Sequence, residues 1–248
     1  MIGAAMERRA ILWFVIVVFL LALAGCGLRS ISDSGYGSDS GRRGPGADNP
    51  FYKGELNEFD VLGIDRSAKI SETDIQKSFE AKKEMSIKKG SSIMLIQSGA
   101  IFPDGPMVKS LEKYYNVAEF TGVPEKGEGS NYSLVLRLAA AKGGYEKIVV
   151  YWGILETAQE NLVTKTVSWV PIVGWGIPDE KQRMRIRLKV AVIDVKTGQW
   201  EMFSPEPIES GAYSAILSRK AADQDQVTFL KEKAYPLVAE DIVKRYAR

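Results

Sequence analysis

Cys26 is the only cysteine in the chain, and there is no histidine. A thiolate is an intrinsically strong nucleophile, and this sulfur stands directly after Leu23-Ala24-Gly25. Without a histidine it cannot join a Cys-His pair. Nor can the chain build a His-dependent triad or a zinc peptidase site. Catalysis is left with a Ser-Lys dyad or paired carboxylates, and metals are left with all-oxygen sites. Ser98 with a nearby lysine is the candidate dyad, although no Ser-x-x-Lys stands on a supported helix. No cofactor is expected, and no disulfide can form within the chain. The remaining chemistry for Cys26 is covalent modification.

The residues before Cys26 fit that role. Arg8 and Arg9 precede an apolar run from Ala10 to Ala24, and Leu-Ala-Gly supplies small residues at the end. This is the anatomy of a secretory signal peptide. The run is about 15 residues, short of the roughly 20 needed to span a bilayer. Leu-Ala-Gly-Cys resembles the lipobox of bacterial lipoproteins. The resemblance implies that residues 1–25 are removed and that Cys26 becomes the acylated first residue, with palmitate among its chains. The protein is then tethered to a membrane outside the cytoplasm. Position 27 is Gly and not Asp, which in lipoproteins of enterobacterial type implies transfer to the outer membrane.

Two further stretches carry side chains suited to binding. Arg183, Arg185, Arg187 and Lys189 alternate with Met184, Ile186, Leu188 and Val190. A strand with this period has one apolar face and one cationic face. The cations either bind an anionic ligand or form a solvated outer face balanced by neighbours such as Glu201. Residues 167–178 carry Trp169, Ile172, Val173, Trp175 and Ile177 without a charge. That segment is either a membrane or partner contact or a loop folded back on the core. A third stretch, Gln97 to Asp104, follows an apolar strand and precedes a helix, a position where α/β folds bind ligands. Its glycine spacing matches no phosphate-loop fingerprint, and turn chemistry accounts for Pro103-Asp104-Gly105.

These residues must be held by a folded part. Residues 26–50, the lipidated Cys26 and the Gly-, Ser- and Asp-rich stretch after it, have no apolar periodicity. They read as a flexible linker with a full extension of about 80 Å. Residues 51–248 read as one α/β domain. Phe59 to Ile64 is a short apolar segment in an irregular lead-in. Ser71 or Thr73 caps a helix with Ile75 and Phe79 on one face, ending near Ile87. Ser91–Gln97 is a buried strand, and residues 106–115 a helix on Met107, Leu111 and Tyr114. Asn116–Val123 is a strand, and Asn131–Ala141 a helix with Leu134, Leu138 and Ala141 on one face. Lys147–Leu155 is a third strand. This β-α-β-α-β order favours parallel pairing. Residues 161–170 and 182–194 read as extended, and Lys196-Thr197-Gly198 turns a hairpin into 199–205. Residues 211–219 fit strand or helix. Residues 221–248 form a closing helix kinked or split at Pro236, with Phe229, Leu230, Leu237, Val238, Ile242 and Val243 on its apolar face. The expected class is α/β (α+β), a mixed sheet with flanking helices.

Composition is that of a globular protein, 45% hydrophobic and 26% charged. The net charge is +2, or +1 once Arg8, Arg9 and Glu7 leave with the signal peptide. That excludes the basic excess of a nucleic-acid binder.

The lipobox, the strands Ser92–Gln97 and Ile148–Leu155, and the run Leu188–Gly198 ending in Asp194-x-x-Thr197-Gly198 together resemble periplasmic α/β lipoproteins. They are similar to curli-secretion-channel lipoproteins, to lipoprotein activators of penicillin-binding proteins, and to the amino-terminal domain of the Tol-system propeller protein. The resemblance implies a mixed sheet flanked by helices and a binding role without catalysis. The expected protein is lipid-anchored and binds another envelope protein. Alternatives are an oligomeric secretion or pore subunit and a His-independent hydrolase.

Overall fold

The computed structural model describes residues 29–34, 51–124, 131–160, 167–172, 183–209 and 219–247. The elements in chain order are α1 (Glu58–Leu62), α2 (Glu72–Ala81), β1 (Ser92–Gln97), α3 (Gly105–Glu112), β2 (Asn116–Phe120) and α4 (Tyr132–Lys142). They continue with β3 (Lys147–Glu160), β4 (Val167–Pro171), β5 (Met184–Asp194), β6 (Trp200–Phe203), β7 (Ile208–Glu209) and α5 (Arg219–Tyr246).

The seven strands form one mixed sheet in the order β2-β1-β3-β5-β6, with β4 added to β3 and β7 to β5. β1 is parallel to β2 and to β3, as the alternation of strands and helices requires. β3 and β5 are antiparallel over eleven residue pairs, from Lys147↔Asp194 to Thr157↔Met184. The sequence shows why β1 is central. Ile93, Met94, Leu95 and Ile96 are consecutive apolar residues, and all are buried, as a strand covered on both faces demands. β5 changes character along its length. Its first half alternates, and its second half, Val190–Ile193, is buried on both faces.

Helices cover the two faces. α3 and α5 pack Met107, Leu111, Leu230, Tyr235, Val238 and Ile242 onto Leu95, Val149, Tyr151, Leu188 and Val190. α1 and α4 pack Val61, Leu62, Leu136 and Ala140 onto Ile96, Ile148, Val150, Trp152 and Ile193.

Four expectations are corrected. The helix after Ser71 stops at Ala81, not Ile87, and buries no residue. Ile75 and Phe79 face outward, while a capping box between Ser71 and Asp74 holds the start. The chain beyond it runs inward, where Ile87 donates its amide to Tyr246 O at 2.7 Å. In α4 the buried residues are Ser133, Leu136 and Ala140, while Leu134 and Leu138 are exposed. This helix is apolar nearly all round, so periodicity selects no face. Its rotation is consistent with the bonds of Arg137, which donates to Val195 O at 2.9 Å and Lys196 O at 3.0 Å. α5 runs through Pro236 without splitting. The carbonyl that loses its partner belongs to exposed Glu232, where water can replace the bond. Phe229 and Leu237 of the same helix are exposed, while Leu230, Val238 and Ile242 are buried.

The Asp-x-x-Thr-Gly run is a structural turn. Asp194 accepts from Lys147 Nζ at 2.7 Å, from the Thr197 amide at 2.7 Å and from the Thr197 hydroxyl at 2.8 Å. Gly198 takes φ +76°, and a Cβ there would meet the Arg137 guanidinium at 2.5 Å. Burial pushes the Asp194 carboxyl up, but the bonds from Lys147 and Thr197 outweigh it and hold the pKa below the ordinary 3.8. A depressed carboxylate contributes stability above the unfolded value and loses it as pH falls through the folded one. Asp194→Asn is therefore expected to cost about 1–2 kcal/mol at pH 7. In urea titrations across pH, the gap to the parent should close below about pH 3.8, the ordinary value.

Candidate functional site

α1 and α4 cover their face of the sheet as far as Trp152 on β3. β3 is 14 residues long, about 46 Å, and continues past that cover. There it carries Ile154, Glu156 and Ala158 on the same face as Trp152, opposite Arg187 and Arg185 of β5, with Glu156 and Ala158 buried. β4 adds Trp169 and Pro171 to the same face, opposite Ala158 and Glu156. The predicted cationic face of β5 thus exists, and its apolar face, Met184, Ile186, Leu188 and Val190, is core as expected.

The cations are partnered, and not by Glu201. Glu156, with its side chain 4% exposed, sits 2.5 Å from Arg185 Nε and 3.5 Å from Arg187 Nε. Lys189 Nζ pairs with Glu58 at 2.6 Å. The Arg185 guanidinium also lies 4.3 Å from the centroid of the Trp169 ring, a stacking geometry that fixes its plane. The Arg185 side chain is 12% exposed, while Arg187 is 49% and Lys189 41% exposed. Of the two arginines that share this buried carboxylate, Arg187 is the exposed one. Arg183 is half-buried, and its carbonyl accepts the Ala158 amide at 2.9 Å. Glu201 lies instead beside Tyr246, whose hydroxyl is pushed up to about 12 by burial and by that carboxylate.

Of the predicted apolar loop, Trp169 is half-buried under Arg185, and Ile172 is 3% exposed in the core. Val173, Trp175 and Ile177 lie outside the described residues, as does Cys26.

The sequence reading missed the segment that follows Cys26. Residues 29–34, expected to be part of the linker, are built into the sheet. The Ile31 amide donates to Gly153 O at 3.0 Å, the Leu155 amide to Arg29 O at 3.0 Å, and the Arg29 amide to Ile172 O at 2.8 Å. Ile31 is 1% exposed. A Cβ on Gly153 would lie 2.7 Å from Ile31 Cδ1 and 2.6 Å from Leu188 Cδ2, so this glycine makes room for the strap. A glycine inside an otherwise apolar strand marks a close backbone approach, and Gly153 was the available signal.

The strap is pinned by a buried polar cluster at the carboxyl end of β1. Ser32 Oγ donates to Ser98 O at 2.5 Å and accepts from Gln97 Nε2 at 3.0 Å. Tyr151 Oη and the Asp104 amide donate to Gln97 Oε1. Lys231 Nζ donates to Ile31 O and Ser34 O, each at 2.8 Å, and pairs with Asp104 at 2.9 Å. Tyr235 Oη donates to the same Asp104 oxygen at 2.5 Å. Burial and then the Asp104 charge push both Tyr151 and Tyr235 well above 10.

This arrangement brings Ser98 and a lysine to one end of the sheet without making a dyad. Lys231 spends its three protons on three acceptors, and the Ser98 hydroxyl accepts the Leu56 amide at 2.8 Å. The cavity beside them measures about 90 Å³, well short of the roughly 300–1,000 Å³ of ligand pockets. Among the described residues no group of three or more Asp, Glu, His or Cys is placed to hold a metal.

Glu55 lies at the same end. Burial pushes its carboxyl above the ordinary 4.5, the charge of Asp33 adds to that, and hydrogen bonds from Ser30, Ser98 and Tyr52 oppose it. A raised carboxyl contributes most where it is protonated and loses that contribution as pH rises through its folded value. Glu55→Gln is expected to raise the melting temperature at pH 7, and the gain should vanish below about pH 4.5. A melting series from pH 3 to 8 reads this directly.

Among curated proteins none matches the chain. Among solved structures, a dodecamer of a PelC variant from Paraburkholderia phytofirmans is similar at a TM-score of 0.29 and 10% identity, covering 64% of this chain and 95% of that one. Among the described residues no helix is long and apolar enough to cross a membrane. The family model described as YafT bacterial lipoprotein matches residues 57–245, from just before α1 to one residue short of the end of α5. That match covers most of the chain, and the chain belongs to the YafT bacterial lipoprotein family.

Proposed function

We propose that this envelope lipoprotein is anchored to the outer membrane through acylated Cys26 and acts without catalysis, binding another envelope protein through its β3-β4-β5 face. The observation that carries the reading is the extension of β3 and β5 past their helical cover, where Trp169, Arg185 and Arg187 share one face. A hot-spot pattern of Trp and Arg is typical of protein interfaces. Arg185 is held by Glu156 and Trp169, so its neighbours are presented in a fixed geometry at little entropic cost. In the sequence, the uncharged stretch with Val173, Trp175 and Ile177 follows β4. Acylation of a cysteine that follows Leu-Ala-Gly supports the anchor, and Gly27 supports the outer membrane. The bonding of Lys231 and Ser98 supports a role without a Ser-Lys dyad.

Crosslinking in living cells from a photoreactive residue at position 187 tests the reading. One recurrent envelope protein is expected, and its capture should fall at least tenfold when Trp169 and Trp175 become serine. Ring-sized assemblies of the chain alone would favour a pore subunit instead. Activity lost in Ser98→Ala, with no captured partner, would return the hydrolase.

A further inference from the structure

Two helices leave apolar faces open to solvent. α4 is apolar nearly all round, and such a helix is ordinarily buried. Its inner side, with Leu136 and Ala140, is core, but Leu134, Val135 and Leu138 are each more than half exposed. Ala141, one turn further on, is exposed as well, so an apolar stripe runs along the outward side of α4 as far as Lys142. α2 is the second case. Ile75 and Phe79 lie one turn apart on it, yet the helix buries no residue. Phe79 is 72% exposed, and Ile70, just ahead of the Ser71 cap, is 65% exposed. A helix of ten residues is marginal in water unless its apolar face is packed.

The two helices meet the same turn of the chain. Gln199 Nε2 donates to Ala81 O at the end of α2, and Gln199 Oε1 accepts the Lys83 amide at 3.2 Å. Arg137 of α4 donates to the carbonyls of Val195 and Lys196. Both faces therefore stand at the end of the sheet where β5 turns into β6. Arg185 and Trp169 lie at the other end of β5, about 30 Å away along the strand.

The charges of the two helices are opposite. α2 carries Glu72, Asp74 and Glu80 against Lys77, a net −2, while α4 carries Arg137 and Lys142, a net +2. Packing α4 on α4, or α2 on α2, would set like charges together, and packing α2 on α4 matches them. An acidic α2 lacks the Lys- and Arg-rich polar face of a helix that lies on a bilayer. Together Ile70, Ile75, Phe79, Leu134, Val135 and Leu138 expose roughly 700 Å², near the ~800 Å² that each partner of a stable interface buries.

We propose that the chain pairs with a second copy of itself, α2 of each packing its Ile75–Phe79 face on the Leu134–Leu138 face of the other's α4. The contact is made twice about a two-fold axis, which closes the pair. It lies away from the β3-β4-β5 face, so the pair presents that face twice.

Two full-length chains produced in the same cells test this, one with Phe79→Cys and the other with Leu138→Cys, told apart by different tags. Both positions are exposed, so both variants should melt with the parent. The parent chain, whose one cysteine is Cys26, is the blank. A short bis-maleimide is expected to join 79 to 138 at least fivefold more than 79 to 79 or 138 to 138. Glu72→Gln with Glu80→Lys, which gives α2 a net +1, should cut the mixed product at least threefold, and an unchanged yield would overturn the charge-matched packing. Like-with-like products as abundant as the mixed one overturn the pair. So does the absence of any product, which would leave the two faces to another protein or to lipid.

Discussion

Replacing Glu156 with alanine is expected to cost about 3–5 kcal/mol of stability, because removing one partner of a buried ion pair strands the other charge. Arg185 would keep the Trp169 ring among the described residues, and its side chain is 12% exposed against 4% for Glu156. Arg187 would lose little stability of its own, since an ion pair this exposed is worth at most about 1 kcal/mol. The double replacement Glu156→Leu with Arg185→Met should recover most of the loss, since two apolar groups of similar volume leave no buried charge. Guanidinium unfolding of the two variants against the parent separates the contributions. If the single variant fell within 1 kcal/mol of the parent, the pair would not be buried as the structure describes. The double variant also tests function, because it should fold yet lose the fixed Arg-Trp geometry on which partner capture is proposed to depend.

Lys231→Met is the second large effect. The methionine keeps most of the side-chain volume but removes the donor to Ile31 O, Ser34 O and Asp104. Losing charge-assisted bonds to two buried carbonyls and a part-exposed carboxylate is expected to cost about 3 kcal/mol. Tyr235 still donates to Asp104, so the carboxylate is not wholly stranded. The distinctive outcome is local: residues 29–34 should become open to proteolysis in Lys231→Met under conditions where β1, β3 and β5 remain protected. A variant that melts lower as a whole, with the strap no more sensitive than the sheet, would show that Lys231 does not hold it.

The parallel half of the sheet was legible because its signals are local and redundant. Consecutive apolar residues at Ile93–Ile96 and Ile148–Tyr151, broken by helices of the right length, leave few other topologies. The alternation of β5 was equally plain, and its apolar side is core. Rotation of the helices was less legible. α4 is apolar nearly all round, so Leu134 and Leu138 read as well as Leu136 and Ala140. A long-range bond from Arg137 to the 195–196 carbonyls accompanies the observed face. The counter-charges of the basic strand were hidden for a similar reason. Glu156 and Glu58 are 29 and 131 residues from the cations they meet, and only strand register brings them together. The strap was the largest omission. Arg29–Ser34 has one large apolar residue, Ile31, so no periodicity can appear. Its stability comes from hydrogen bonds to β3 and to Lys231, 200 residues away from Ile31.

Amide hydrogen exchange of the full-length protein tests the strap most directly. The account predicts that the Ile31 amide, bonded to Gly153 O in the core of the sheet, exchanges as slowly as the amides of Val149 on β3 and of Ala191, which faces Val150 across the β3-β5 ladder. Exchange of Ile31 at the rate of an unstructured chain, beside a protected β3, would contradict it and make residues 27–50 a free tether.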